Sequence, residues 1–132
     1  MKLLLTAAAG LLLSHAALAQ DHLAKPHLVM RRSVEGMPRG STQEVSVLTA
    51  EFKPGDKTVF HTHRFPVTVY VLVGGFTLQL EGHPEVVVKA GEAYVEPPNI
   101  KMTGYNRSIS EALKVLIFYV ADPNTPFLDL VH

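Results

Sequence analysis

The chain has 132 residues, with 12 Lys plus Arg against 12 Asp plus Glu and no cysteine. Balanced charge argues against a partner such as nucleic acid or an anionic membrane surface, and the missing thiols exclude disulfides and thiolate metal sites. His, Met, Asp and Glu remain as side-chain metal ligands, and stability has to come from core burial, aided by oligomerisation.

In chain order, the first element is a leader. Lys2 supplies a positive start, residues 3–13 an apolar run, and Ala17-Leu18-Ala19 a small-x-small cleavage site, so 1–19 read as a secretory signal peptide. The run is short for a membrane span, and Ser14-His15 interrupts it; an uncleaved anchor is the alternative. Cleavage after Ala19 leaves one domain at 20–132, of a size that supports a single core, in a secreted or periplasmic protein. Short β-branched runs at 27–33, 43–52, 58–63, 67–73, 76–81, 85–89, 93–96 and 112–120 then alternate with breakers such as Lys53-Pro54-Gly55-Asp56, Gly74-Gly75, Gly82-His83-Pro84 and Pro97-Pro98-Asn99. This predicts an all-β sandwich or barrel, with at most one helical turn at 108–113. Strand alternation puts Val59, His61 and His63 on one face. The run at 112–120 is apolar on both faces beyond Lys114, as in a strand buried between two sheets.

Two spaced motifs add to this reading. Gly55, His61-Thr62-His63 and Gly75 fit G-x5-H-x-H-x3-4-E-x6-G, while Gly91, Pro97 and Asn106 fit G-x5-P-x-G-x2-H-x3-N. Over about residues 27–121 the chain resembles the cupin superfamily, in particular its small secreted single-domain members. The resemblance implies a single-domain jelly-roll β-barrel (a double-stranded β-helix) and a homodimer formed through sheet contacts or exchanged N-terminal strands. It also implies a metal site of three histidines and one glutamate, of which only His61 and His63 are present. The glutamate falls at Val67 or Thr68, the last histidine at Met102, and the second-motif glycine at Asn99, which can adopt a left-handed conformation.

Two imidazoles hold a first-row divalent ion weakly, since such ions usually take at least three protein donors. Gln79, Glu81 and Glu96 are candidate recruits from neighbouring strands. Met102 offers a thioether, which with two imidazoles suits copper, although Met is commonly core filler. Tyr70 and Tyr94 are candidates to line a ligand pocket, as is Tyr105. His83 reads as an exposed hairpin turn, Arg64 as a solvated charge, and Asn106-Arg107-Ser108 as a coincidental match to a glycosylation acceptor. The apolar closing residues 125–131 are candidates to cover a barrel edge, in the same or a partner subunit.

These features favour an exported binding protein that holds a divalent metal, copper or a small ligand in its barrel through His61 and His63. The alternative is a metalloenzyme, an oxygenase or isomerase acting on a small organic molecule, which needs a recruited third ligand and an open coordination position. A metal-free isomerase or lyase would instead use a histidine as general base. No nucleic-acid partner is expected, nor a membrane once the leader is removed.

Overall fold

A computed structural model describes residues 22–132; the leader expected at 1–19 lies outside the described residues. Nine strands are present among them: β1 (Glu44–Phe52), β2 (His61–Thr62), β3 (Val67–Val73), β4 (Gly75–Leu80), β5 (Val86–Lys89), β6 (Ala93–Glu96), β7 (Met102–Tyr105), β8 (Leu113–Ala121) and β9 (Asp129–Leu130). They form two antiparallel sheets, β1-β8-β3-β6 and β5-β4-β7-β2-β9. Among the described residues no helix is long and apolar enough to cross a membrane.

Alternation fixes which side chains meet. Val67, Val69 and Val71 on β3 register with alternate residues of β8 and are buried, as are Leu113, Val115 and Tyr119. Phe76, Leu78 and Leu80 on β4 face them from the other sheet, joined by Val88 and Met102 in one core. Each large side chain buried there contributes about 1.5–3 kcal/mol of hydrophobic stabilisation. This is the two-sheet all-β architecture expected from the strand pattern, and the jelly roll that the resemblance implies.

Four local expectations are corrected. Residues 27–33 form no strand: no sheet strand pairs with them, and the segment runs as irregular chain with Leu28 and Val29 exposed. Met30, Val34 and Met37 lie with Phe118 and Val120 along a shallow groove. The outer face of β8 is therefore covered only in part, and by this segment rather than a second sheet; Phe118 remains 40% exposed. The strand expected at 58–63 is regular only at His61–Thr62, which leaves Val59 exposed rather than aligned with the histidines. Residues 108–113 make no helical turn. The Ser108 hydroxyl accepts the Ser110 and Glu111 N–H groups, closing a tight bend.

Strands β7 and β9 escape the sequence pattern. β7 has the sequence Met-Thr-Gly-Tyr, whose glycine reads as a breaker. A Cβ at Gly104 would stand 2.5 Å from the Phe76 ring, so the strand needs a residue without a side chain there. β9 has only two residues and takes its order from pairing with β2. Asn99 does adopt a positive φ of 60°, and its N–H bonds the His63 carbonyl at 2.7 Å. Buried Asn106 donates its amide to the carbonyls of Phe52, Lys53 and Glu111, which makes it a structural bracket.

Candidate functional site

His61 and His63 are 5% and 1% exposed, at the meeting of β2 with the two sheets. The His61 Nδ1–H donates to the Val59 carbonyl at 2.7 Å, and the His63 Nδ1–H donates to the Phe127 carbonyl at 2.6 Å. A carbonyl can only accept, so both Nδ1 atoms carry protons, and in neutral rings both Nε2 atoms present lone pairs. Those two Nε2 atoms face each other at 3.1 Å, with the rings edge to face.

Glu96 completes the cluster. Its Oε2 lies 3.1 Å from His63 Nε2, and the residue is 4% exposed. The register explains its arrival: Glu96 on β6 stands directly across from Val67 on β3, and cross-strand partners share a face with their Cβ atoms about 5 Å apart. Val67 is one of the two positions where the motif expects its glutamate, so a carboxylate absent from β3 is present one strand over. Glu96 contacts His63 and makes no such contact with His61, so the three groups form a chain centred on His63. Among the described residues no three His, Asp or Glu side chains converge into a closed metal-binding group.

The spacing and chemistry nevertheless suit a cation. Donors about 2.1 Å from one ion and at right angles to each other lie about 3.0 Å apart, close to both 3.1 Å contacts. With neutral rings and an ionised carboxylate, the three acceptor atoms repel unless a positive charge, a metal ion or a proton, joins them. Burial, chiefly, holds His61 below the ordinary histidine range; His63 adds to this, while the Val59 carbonyl and Glu96 oppose it.

The other candidates fall elsewhere. Gln79 is exposed and accepts the Tyr105 hydroxyl, and exposed Glu81 pairs with Lys101 at 3.5 Å; neither can be recruited, because both point away from the β4 core face. Met102 sits across from His61 in register and is wholly buried. It packs into the core and is not among the residues that line the cavity shared by His61, His63 and Glu96. Tyr70 registers with Leu116 and Ala93, opposite in parity to buried Val69, and so faces out of the barrel. Tyr94 packs at the sheet edge beneath the Arg32 guanidinium, 5.6 Å from its ring. It lines an outer groove of about 550 Å³ that His83 also lines and that includes none of His61, His63 and Glu96. The smaller cavity, about 110 Å³, holds all three. His83 is exposed in the β4–β5 turn.

Sequence reasoning missed the C-terminal strap as a site element. β9 pairs with β2 in the same chain, and the Phe127 ring packs on His63 with centroids 4.8 Å apart. Arg64 clamps the strap through two bonds to Asp129, at 2.8 and 2.9 Å. That bonding raises the Arg64 pKa and holds the Asp129 carboxyl below its ordinary value. The apolar Thr125-to-Val131 run was the available signal, but it did not reveal that a backbone carbonyl there would fix the His63 tautomer.

The sequence profile of the family described as "Cupin domain" matches residues 48–119. Among solved structures, a cupin-like protein from Thermotoga maritima is 22% identical with a TM-score of 0.56, covering 66% of this chain and 64% of that one. A double-stranded β-helix protein from Klebsiella pneumoniae is 21% identical with a TM-score of 0.57, covering 76% and 90%. The DMSP lyase DddQ from Ruegeria pomeroyi is 17% identical with a TM-score of 0.57, covering 76% and 59%. This chain spans only 46% of another DMSP-lyase chain that it resembles. At these identities the likeness is one of fold. No curated protein matches the sequence. With a profile match over more than half of its length and the two-sheet barrel to go with it, the chain belongs to the cupin family.

Proposed function

We propose that this cupin domain holds one divalent metal ion in its barrel, with His61 Nε2, His63 Nε2 and the Glu96 carboxylate as protein donors, and presents it to a small molecule. The observation that carries the reading is the 3.1 Å approach of two imidazole Nε2 atoms whose Nδ1 protons are both committed to carbonyls. Two imidazoles and a carboxylate suit zinc, manganese, iron or nickel, and lack the soft donor that would single out Cu(I). Bound there, the ion would act as a Lewis acid toward a ligand at an open position. The chain's own residues orient the site: the Val59 and Phe127 carbonyls fix both tautomers, the outer-shell role that metal-bound histidines require. The activity of the DMSP lyases is not carried over on fold alone. The leader pattern at 1–19 supports export, and detection of a mature N-terminus at Gln20 in a periplasmic or culture fraction tests it.

Metal analysis after dialysis against a chelator and reloading tests the site itself. One zinc or manganese ion per chain is expected, abolished in His61→Gln and His63→Gln. Absence of uptake by the wild type overturns the reading. One observation supports a second reading: the buried His63–Glu96 contact also suits a shared proton, giving an acid–base pair for metal-free chemistry. That reading predicts no metal uptake.

A further inference from the structure

The cavity around the histidines limits what can reach them. It measures about 110 Å³, whereas an apolar cavity of about 150 Å³ accommodates benzene. By that scale it takes roughly four or five non-hydrogen atoms beyond the site's own donors. Its walls include Val69, Leu78, Val115, Ile117 and Leu128, and no Lys, Arg, Asn or Gln contributes to them among the described residues. Thr58 is the remaining polar wall residue, and its hydroxyl is already engaged, donating to the Val59 carbonyl and accepting the Gly104 N–H. A ligand with several polar groups would leave them without partners there, at a cost that excludes sugars and dicarboxylates.

Charge supplies the other half. A divalent ion with the single carboxylate of Glu96 leaves a net charge of +1 in a buried site, and a monoanion neutralises it. We infer that the ligand is a small aliphatic monoanion, a straight-chain monocarboxylate of two or three carbons, with its head on the metal and its hydrocarbon tail against Val69, Leu78 and Val115. The inference rests on the metal reading above and specifies the ligand class of that site.

The test is calorimetric titration of zinc-loaded protein with the straight-chain acids from acetate to octanoate, with succinate and glucose as polar controls. Affinity should rise by about fourfold from acetate to propionate, peak there, and fall from butyrate onward. Ala50→Val adds bulk to the cavity wall and should shift the optimum to a shorter acid while zinc uptake is unchanged. Zinc uptake with affinity independent of chain length, or with tighter binding of octanoate or succinate, overturns this inference alone. Failure of the wild type to take up zinc overturns the metal reading as well.

Discussion

Replacing Glu96 by Gln keeps the shape of the side chain and removes its charge, and the two proposed occupants of the site, metal or proton, give opposite signs for the result. With Glu96 ionised and His63 neutral, the state that would receive a metal, the Glu96 oxygen and the His63 Nε2 lone pair are two acceptors 3.1 Å apart. An amide at position 96 donates an N–H to that lone pair, turning a repulsion into a hydrogen bond. A net gain of about 1 kcal/mol is expected from the bond, with some addition from no longer burying an unpaired charge. For a domain of this size, about 1 kcal/mol raises Tm by roughly 3–6 °C. In the metal-loaded protein the same substitution removes the anionic donor. Loss of an outer-shell partner alone lowers metal affinity by about 10–100-fold, so loss of a direct ligand should cost at least about 100-fold. Differential scanning calorimetry of chelator-treated protein and competition titration with zinc measure the two effects. A metal-free variant that melts several degrees lower, with no wild-type zinc uptake, refutes the reasoning. It would show that Glu96 serves a buried ion pair, whose disruption costs about 3–5 kcal/mol.

Met102→Leu conserves volume at a wholly buried position; a cost below about 1.5 kcal/mol in urea denaturation is expected, with metal content unchanged. A stoichiometric copper ion lost in that variant would return the thioether to the site. Gly104→Ala places a Cβ 2.5 and 2.6 Å from two Phe76 ring atoms and should destabilise by about 1–3 kcal/mol in the same assay; a neutral result would mean that the ring moves freely. The pH dependence follows from His61, whose folded-state pKa lies below the 6.5 of an unperturbed histidine. The unfolded chain then binds the proton more readily, so in chelator-treated protein this contribution is intact above that value and is lost as pH falls from about 6.5 toward the folded-state pKa. His61→Asn should flatten the slope of the urea midpoint between pH 7 and 5, and an unchanged slope would remove His61 as its source.

Strands with clear alternation or β-branched runs were legible: β1, β3, β4, β5, β6 and β8 lie within a residue or two of their expected bounds. β7 was not, because its Gly104 is there for the Phe76 ring, and that demand comes from another strand. The expected strand at 27–33 failed for the converse reason: apolar composition alone supplies no ladder partner. The histidine pair could be read from two-residue spacing. Choosing Glu96 over Gln79 and Glu81 could not, since the choice depends on which residue of β6 faces Val67, a register set by two sheets rather than by any local pattern. The Phe127 carbonyl lies 64 residues from the histidine it orients, and backbone atoms leave no signature in a sequence.

The altered donor set makes chemical sense as a whole. The pattern implied by the motifs pairs three imidazoles with one carboxylate; here the pair of imidazoles keeps a carboxylate, moved from β3 to β6, and a thioether buried in the core replaces the third imidazole. Total ligand charge is unchanged, so a divalent ion would still carry the same uncompensated positive charge. Its protein donors are fewer by one, which opens a further position to an outside ligand. An ion that is charge-deficient and open, in a cavity whose other walls are largely hydrocarbon, favours a monoanion with an apolar tail. On the metal reading, the moved carboxylate and the lost imidazole would shift the site from holding a metal fully toward sharing it with its ligand.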